Sequence, residues 1–226
     1  MSIDIASKID HTLLRIGVDL NQLNKFIEEG VKYNVRALVV SPTNVNYLKE
    51  YLEKFNADIR VVSVVAFPYG ETFTRVKICE IDHLYDIGVD EVDIVLNTSL
   101  LIQGYIDDFK AELKTLNDYI RGNYPNLTAK YIVEIPLLNK PLIVKAVEIF
   151  NEVMPEYLKT STGYGPRGTT VDDVKFIRKI LNPEIKIKAA GGIRSYQQAI
   201  ELIAAGADII GSSSGVKIIK EAVRDG

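Results

Sequence analysis

Short β-branched runs in which almost every residue is apolar, such as ALVV (37–40) and VVSVVAF (61–67), recur along the chain between longer amphipathic stretches. A strand with one wet face alternates apolar and polar residues. A strand that is apolar throughout must be covered on both faces, which parallel strands with crossover helices achieve. Eight such strands are expected, over 8–13, 36–40, 60–66, 91–96, 130–135, 157–160, 185–189 and 208–211. Helical spacing fills the gaps over 20–34, 45–55, 73–87, 105–119, 140–151, 170–180 and 196–205. In the first of these, Leu20, Leu23, Phe26, Ile27 and Val31 form one stripe. Asp172 and Asp173 read as a first helical turn and Ser195 as an N-cap, while Gly30, Gly88 and Gly206 read as helix stops. The stretch 122–126 reads as a surface turn.

Eight strand–helix units in 226 residues point to a single-domain (β/α)8 TIM barrel over 1–226. An open doubly wound sheet is the structural alternative, because periodicity does not show closure. No linker, charge block or low-complexity tract divides the chain.

Apolar residues make up 47% of the sequence and charged residues 25%, ordinary values for a chain with a sizeable core. A net charge of −3 gives no electrostatic reason to expect nucleic acid or an anionic membrane as partner. No apolar run is long enough to span a bilayer, and the start MSIDIASKIDHTLL does not read as a signal peptide. The one cysteine, Cys79, allows no intrachain disulfide, so a cytoplasmic setting is expected.

In a barrel, chemistry gathers at the C-terminal ends of the strands, so charges within buried strands there are informative. Asp10, Asp93, Lys159 and Lys188 stand out. In EVDIVLN, Val92, Ile94 and Leu96 share the outward parity, which turns Asp93 inward. Lys159 lies in YLKTSTG and Lys188 in IKIKAAGG. One such charge is as well explained by a structural ion pair. Two lysines beside one carboxylate have a chemical use, because a desolvated lysine near another cation sheds its proton and the free amine can attack a carbonyl.

Glycine-rich segments supply a second constellation. AGGIRS (190–195) follows the seventh strand and opens a helix, and GSSSG (211–215) follows the eighth and leads into a short extra helix over 216–224. Loops in these two places commonly hold phosphate through backbone N–H groups and helix dipoles. STGYGPRG (161–168) adds a hydroxyl-bearing loop after the sixth strand.

Together, IDHTLL (9–14), FPYG (67–70), DEVDIVLN (90–97), LKTSTG (158–163), KAAGGIR (188–194) and IGSSSG (210–215) resemble the deoxyribose-phosphate aldolase family. These motifs span almost the full length, and their order and spacing are specific where a lone AGG is not. The resemblance implies a lyase that cleaves 2-deoxy-D-ribose 5-phosphate to D-glyceraldehyde 3-phosphate and acetaldehyde, with no metal or organic cofactor. It implies Lys159 as the Schiff-base lysine, Asp93 as the carboxylate of the proton relay and Lys188 as the assisting lysine. Asp10, Thr12 and Thr162 match substrate-side polar positions, and Gly163, Gly191, Gly192, Gly211, Ser213 and Ser214 match the phosphate loops. A homo-oligomer, dimer or tetramer, is also implied.

Three departures accompany the match. Tyr164 stands where relatives usually carry Phe or Lys, Glu134 is followed by Ile135-Pro136, and no tail residue is given a role at Gly226. Another phospho-sugar aldolase or isomerase, or a non-catalytic barrel that binds a phosphate ligand, are the alternatives. The conjunction of Lys159, Lys188 and Asp93 favours the lyase, since binding alone needs no such pair of lysines.

Other residues are set aside. His11 and His83 form no metal-ligand pattern, Cys79 reads as a packed thiol, and Lys186 lies toward the wrong end of its strand to rival Lys188. Tyr47 and Tyr51 read as packing or a subunit contact, and FPYG as a strand-ending turn that could also shape the substrate mouth.

Overall fold

A computed structural model describes residues 4–225 and closes eight parallel strands into a barrel in sequence order, with the eighth back against the first. The strands are β1 (Ile9–Leu13), β2 (Ala37–Val40), β3 (Arg60–Val65), β4 (Glu91–Val95), β5 (Thr128–Ile132), β6 (Tyr157–Lys159), β7 (Lys186–Ala190) and β8 (Ile209–Ser212). Around them run α1 (Leu20–Lys32), α2 (Val45–Phe55), α3 (Thr74–Asp86), α4 (Thr98–Gln103), α5 (Ile106–Asn123), α6 (Lys140–Val153), α7 (Val171–Ile180), α8 (Tyr196–Ala204) and α9 (Gly215–Asp225). Met1–Ile3 and Gly226 lie outside the described residues.

Strand parity sorts the side chains into two layers. Leu38, Val40, Val61, Val65, Val92 and Ile94 point outward into one large apolar layer shared with the helices. Ala37, Val39, Val62 and Val64 point inward and make a small dry cluster under Leu14 and Phe67. The barrel interior is therefore apolar beside β2 and β3. On β1, β4, β5, β6 and β7 inward positions carry charges, all of them buried: Asp10, Glu91, Asp93, Lys130, Lys159 and Lys188. Register sets Asp93 level with Lys130, and Lys159 level with Lys188.

Side-chain caps explain four of the helix starts. Asp19 and Thr170 form capping boxes with Gln22 and Asp173, and the Asn139 and Ser195 side chains accept the N–H of Leu142 and Gln198. Asp172 and Asp173 occupy the first turn of α7 as expected.

The structure corrects several boundaries. Gly30 is no stop. It lies inside α1, where a Cβ would come within 2.5 Å of Leu38 Cδ2, so its smallness lets the helix press on β2. The left-handed residue after this helix is Asn34. β5 starts two residues earlier than expected, and it ends earlier because Glu134 takes a left-handed conformation and a 3-10 turn over Ile135–Leu137 follows, with Pro136 in it. The apolar run continues past that point but the ladder does not. α5 extends through Asn123 into the expected surface turn, and α4 was not foreseen. Cys79, read as packed, is exposed on α3, because the stripe that α3 buries runs through Lys77, Ile81 and Leu84 instead.

That stripe holds a buried ion pair outside the barrel. Lys77 Nζ donates to Glu112 Oε1 at 2.7 Å and to the Val95 carbonyl at 2.8 Å, while Glu112 Oε2 accepts the Asn97 N–H at 2.7 Å. The pair fastens the end of β4, two residues beyond Asp93, to α3 and α5. Lys77→Met should strand a buried carboxylate and lower stability by about 3–5 kcal/mol in urea unfolding, whereas Lys77→Met with Glu112→Leu should recover most of the loss.

Candidate active site

Asp93 is the hub of the barrel interior. Its Oδ2 lies 2.7 Å from both Lys159 Nζ and Lys188 Nζ, and its Oδ1 lies 3.3 Å from Lys130 Nζ. Lys188 reaches on to Asp10 Oδ2 at 2.5 Å, and Arg36 joins Asp10 at 2.6 Å to Glu91 at 2.5 Å. Glu91 pairs in turn with Lys130. The contacts thus close a ring of alternating sign: Asp93, Lys188, Asp10, Arg36, Glu91, Lys130 and back to Asp93.

Three cations balance three anions within that ring, and Lys159 is attached to it as one cation more. Isolated charge is costly to bury, so the surplus proton is the one most readily lost. Burial, together with Lys188 and Lys130, brings the Lys159 pKa down to about 8 although Asp93 pulls the other way. Asp93 shows the opposite balance. Burial would raise its pKa, but Lys159, Lys188 and Lys130 hold it well below the usual carboxylate value. Lys130 is raised, because Asp93, Glu91 and Asp10 outweigh its burial.

Lys159 is also the member of the cluster that reaches the open mouth. It lines a cavity of about 290 Å³ with Thr12, Thr162, Gly163, Gly191, Gly192, Gly211 and Ser213. Asp93 and Lys188 lie fully buried beneath. So does Asp10, whose carboxylate is engaged by Arg36 and Lys188 and does not line the cavity. Ser214 stands just outside the lining, and its N–H donates to Ser212 Oγ at 2.9 Å.

The loops at the mouth differ in what they can offer an anion. Gly191 and Gly192 are consecutive left-handed residues ahead of α8, and Ser213 stands ahead of α9. The N–H groups of the β6 loop are already engaged: Thr162 N–H donates to Glu134 after β5, Gly163 N–H to Ser161 Oγ and Tyr164 N–H to Thr162 Oγ1. Gly163 therefore contributes shape to the cavity while its N–H is already bonded. Tyr164 crosses the mouth, donating its hydroxyl to the Leu14 carbonyl at 3.1 Å and resting edge-on against Phe67. Arg15 and Arg194 bring positive charge to the rim.

Sequence reasoning missed Lys130, Glu91, Arg36 and Glu134. The parity that turns Asp93 inward applies equally to Glu91, two residues before it. Lys130 stands at the start of the expected strand but in the middle of the observed one, Thr128–Ile132. Glu134, a charge in the apolar run YIVEIP, carried the same signal as Asp93. Arg36 leaves no mark in a linear pattern. His11 sits apart on the outer face of β1, stacked on Phe26, and burial lowers its pKa to about 4. His83 is exposed, and no group of His, Cys, Asp and Glu suited to a metal ion occurs among the described residues.

Charge balance makes a direct stability prediction. Lys159→Met leaves the ring neutral, so urea unfolding should give a stability equal to or above the parent's. Lys188→Met leaves Asp10 and Asp93 short of a cation and should cost about 3–5 kcal/mol. Equal losses in the two variants would show that Lys159 is no surplus charge.

No family model matches the chain. A deoxyribose-phosphate aldolase of Thermococcus gammatolerans is 39% identical over 222 residues, covering 98% of each chain. Among solved structures, the aldolase QR15 superposes with a TM-score of 0.89 at 36% identity, covering 98% of this chain and 97% of that one. The deoxyribose phosphate aldolase of Aeropyrum pernix, described as a unique tetrameric structure, gives a TM-score of 0.86 at 29% identity, covering 96% of this chain and 90% of that one. Among the described residues, no helix is long and apolar enough to cross a membrane. Full-length identity of this order, on the same closed barrel, shows that the chain belongs to the deoxyribose-phosphate aldolase family.

Proposed function

We propose that the protein cleaves 2-deoxy-D-ribose 5-phosphate reversibly to D-glyceraldehyde 3-phosphate and acetaldehyde through a Schiff base on Lys159. The observation that carries this reading is the surplus lysine at the cavity floor, with a proton affinity already lowered to about 8. A barrel that only binds a phosphate ligand has no use for such an amine.

The neutral Lys159 amine adds to C1 of the open-chain sugar, and loss of water gives an iminium whose new positive charge faces Asp93 at the former ammonium position. A water held by Asp93 and Lys188 takes the C3 hydroxyl proton. The C2–C3 bond then breaks, its electron pair flows into the iminium to form an enamine, and glyceraldehyde 3-phosphate leaves. Protonation at C2 and hydrolysis release acetaldehyde and restore Lys159. In this reading Asp10 holds Lys188 from below, and Thr12 and Thr162 line the sugar. The Gly191–Gly192 turn, Gly211, Ser213 and Ser214 form the phosphate end with the helix starts behind them, and Gly163 supplies shape there. The substrate is a small phosphorylated sugar.

An assembly of two or four copies belongs to the same reading, supported by the tetrameric relative. So does a cytoplasmic setting, supported by a single cysteine and an ordinary charge balance.

Borohydride added during turnover, or with acetaldehyde alone, should trap a mass increase on the peptide holding Lys159. Lys159→Ala should fold but not turn over, and Lys159→Arg should fail too, since a guanidinium stays protonated. An active enzyme whose Lys159 remains unmodified would sink the assignment.

The pH dependence follows from the sign of the shift. Lys159 must be neutral to attack, so kcat/KM should rise with pH through about 8 and level off above it. Asp93 raises the lysine's proton affinity, so Asp93→Asn should move the rising limb to lower pH. The same change should reduce kcat by about 10²–10⁴-fold through loss of the proton relay. A limb that moves upward would contradict the charge assignment.

A further inference from the structure

Glu134 takes no part in the steps above, yet it is a carboxylate only 6% exposed at the barrel mouth. Its backbone is left-handed, with φ +53°, a conformation that costs a non-glycine residue about 1–3 kcal/mol and persists only where surroundings enforce it. The enforcing contacts are three hydrogen bonds. The carboxylate accepts Ser161 Oγ at 2.7 Å, the Thr162 N–H at 2.9 Å and Thr162 Oγ1 at 2.5 Å. The two hydroxyls extend its reach: Ser161 Oγ accepts the Gly163 N–H at 3.0 Å, and Thr162 Oγ1 accepts the Tyr164 N–H at 3.1 Å. One buried anion therefore orders three consecutive backbone N–H groups, one directly and two through the hydroxyls it holds.

The segment held this way is the wall of the Gly191–Gly192 turn. A Cβ on Gly191 would lie 2.9 Å from Ser161 Oγ and 3.4 Å from Gly163 Cα. Farther along the same loop, Gly168 packs on the turn, and Thr169 N–H donates to the Gly191 carbonyl at 3.1 Å. The turn has its shape because this loop clasps it.

We infer that Glu134 is a positioning residue that sets the affinity for the phosphate end of the substrate, by holding Ser161 to Tyr164 against the Gly191–Gly192 turn. The inference rests on the reading of that turn as the phosphate site. All three partners donate to Glu134, so a carboxamide, with one accepting oxygen and one donating nitrogen, cannot receive them all. The charges that chiefly set the Lys159 proton affinity are Asp93, Lys188 and Lys130, so the amine should not sense the change.

The test compares Glu134→Gln with the parent on deoxyribose 5-phosphate and on 2-deoxyribose, which offers the same carbonyl without the phosphate. Two further readouts are inhibition by inorganic phosphate and the pH profile of acetaldehyde trapping on Lys159. KM for the phosphorylated sugar should rise about tenfold and phosphate inhibition should weaken by a similar factor, with a clearly smaller loss of kcat/KM on 2-deoxyribose. The midpoint of the trapping profile should stay in place. Equal losses on the two sugars, a shifted midpoint or an unchanged KM would each overturn the inference. Ser161→Ala removes one of the three hydrogen bonds to Glu134 together with the Gly163 link that runs through it, leaves both Thr162 bonds, and should show the same selectivity to a lesser degree; it decides the matter if Glu134→Gln does not fold. A parent inactive on deoxyribose 5-phosphate would sink the aldolase reading, and phosphate binding measured by calorimetry would still decide the role of Glu134.

Discussion

Seven charged side chains share the barrel interior, and their balance is the constraint on which the rest depends. Burying six of them is tolerable because each carboxylate faces cations and each cation faces carboxylates around a closed ring. Lys159 joins this ring with no anion of its own, since Asp93 is already shared with Lys188 and Lys130. Its reactivity needs no unusual chemistry at the lysine. The odd number of charges in a water-poor space puts the neutral form within reach near neutral pH.

The barrel serves this arrangement in two ways. Parallel register sets residues of adjacent strands at the same height, which is why Asp93 meets Lys130, and Lys159 meets Lys188. The inward face beside β2 and β3 is filled by small apolar residues, so the charges crowd toward the other strands and are not diluted by water. Outside the barrel, the Lys77–Glu112 pair pins the end of β4 that carries Asp93. Above it, Glu134 governs the loop that follows Lys159. Two buried carboxylates outside the ring thus hold the end of the strand that carries Asp93 and the loop that follows Lys159.

The sequence pattern was enough to locate the eight strands and every helix but the short α4, because burial on both faces and amphipathic coverage leave strong marks in a linear pattern. It failed where a backbone detail overrode composition. The run YIVEIPL is apolar enough for a longer strand, but the left-handed Glu134 and the 3-10 turn at Pro136 end it. Gly30 looked like a stop, and only the approach of Leu38 shows why a glycine stands within the helix. Cys79, in a helix with no base signature nearby, reads as a packed thiol, but the stripe α3 buries includes Lys77 because Glu112 receives it.

Within the site, the motifs by themselves picked out Lys159, Asp93 and Lys188, since charges in apolar strands near glycine-rich loops are costly unless used or paired. They also carried the family resemblance, which full-length relatives confirm. Which charges balance which was settled only by tertiary structure. Arg36 lies 55 positions from Glu91, and Lys188 lies 95 from Asp93. Electrostatic energy depends on distance and burial, and neither is written in the order of residues along the chain. Sequence alone therefore determined that a lysine should stand at the mouth of a barrel. Closure of that barrel decided that this lysine is the buried cation the ring does not need.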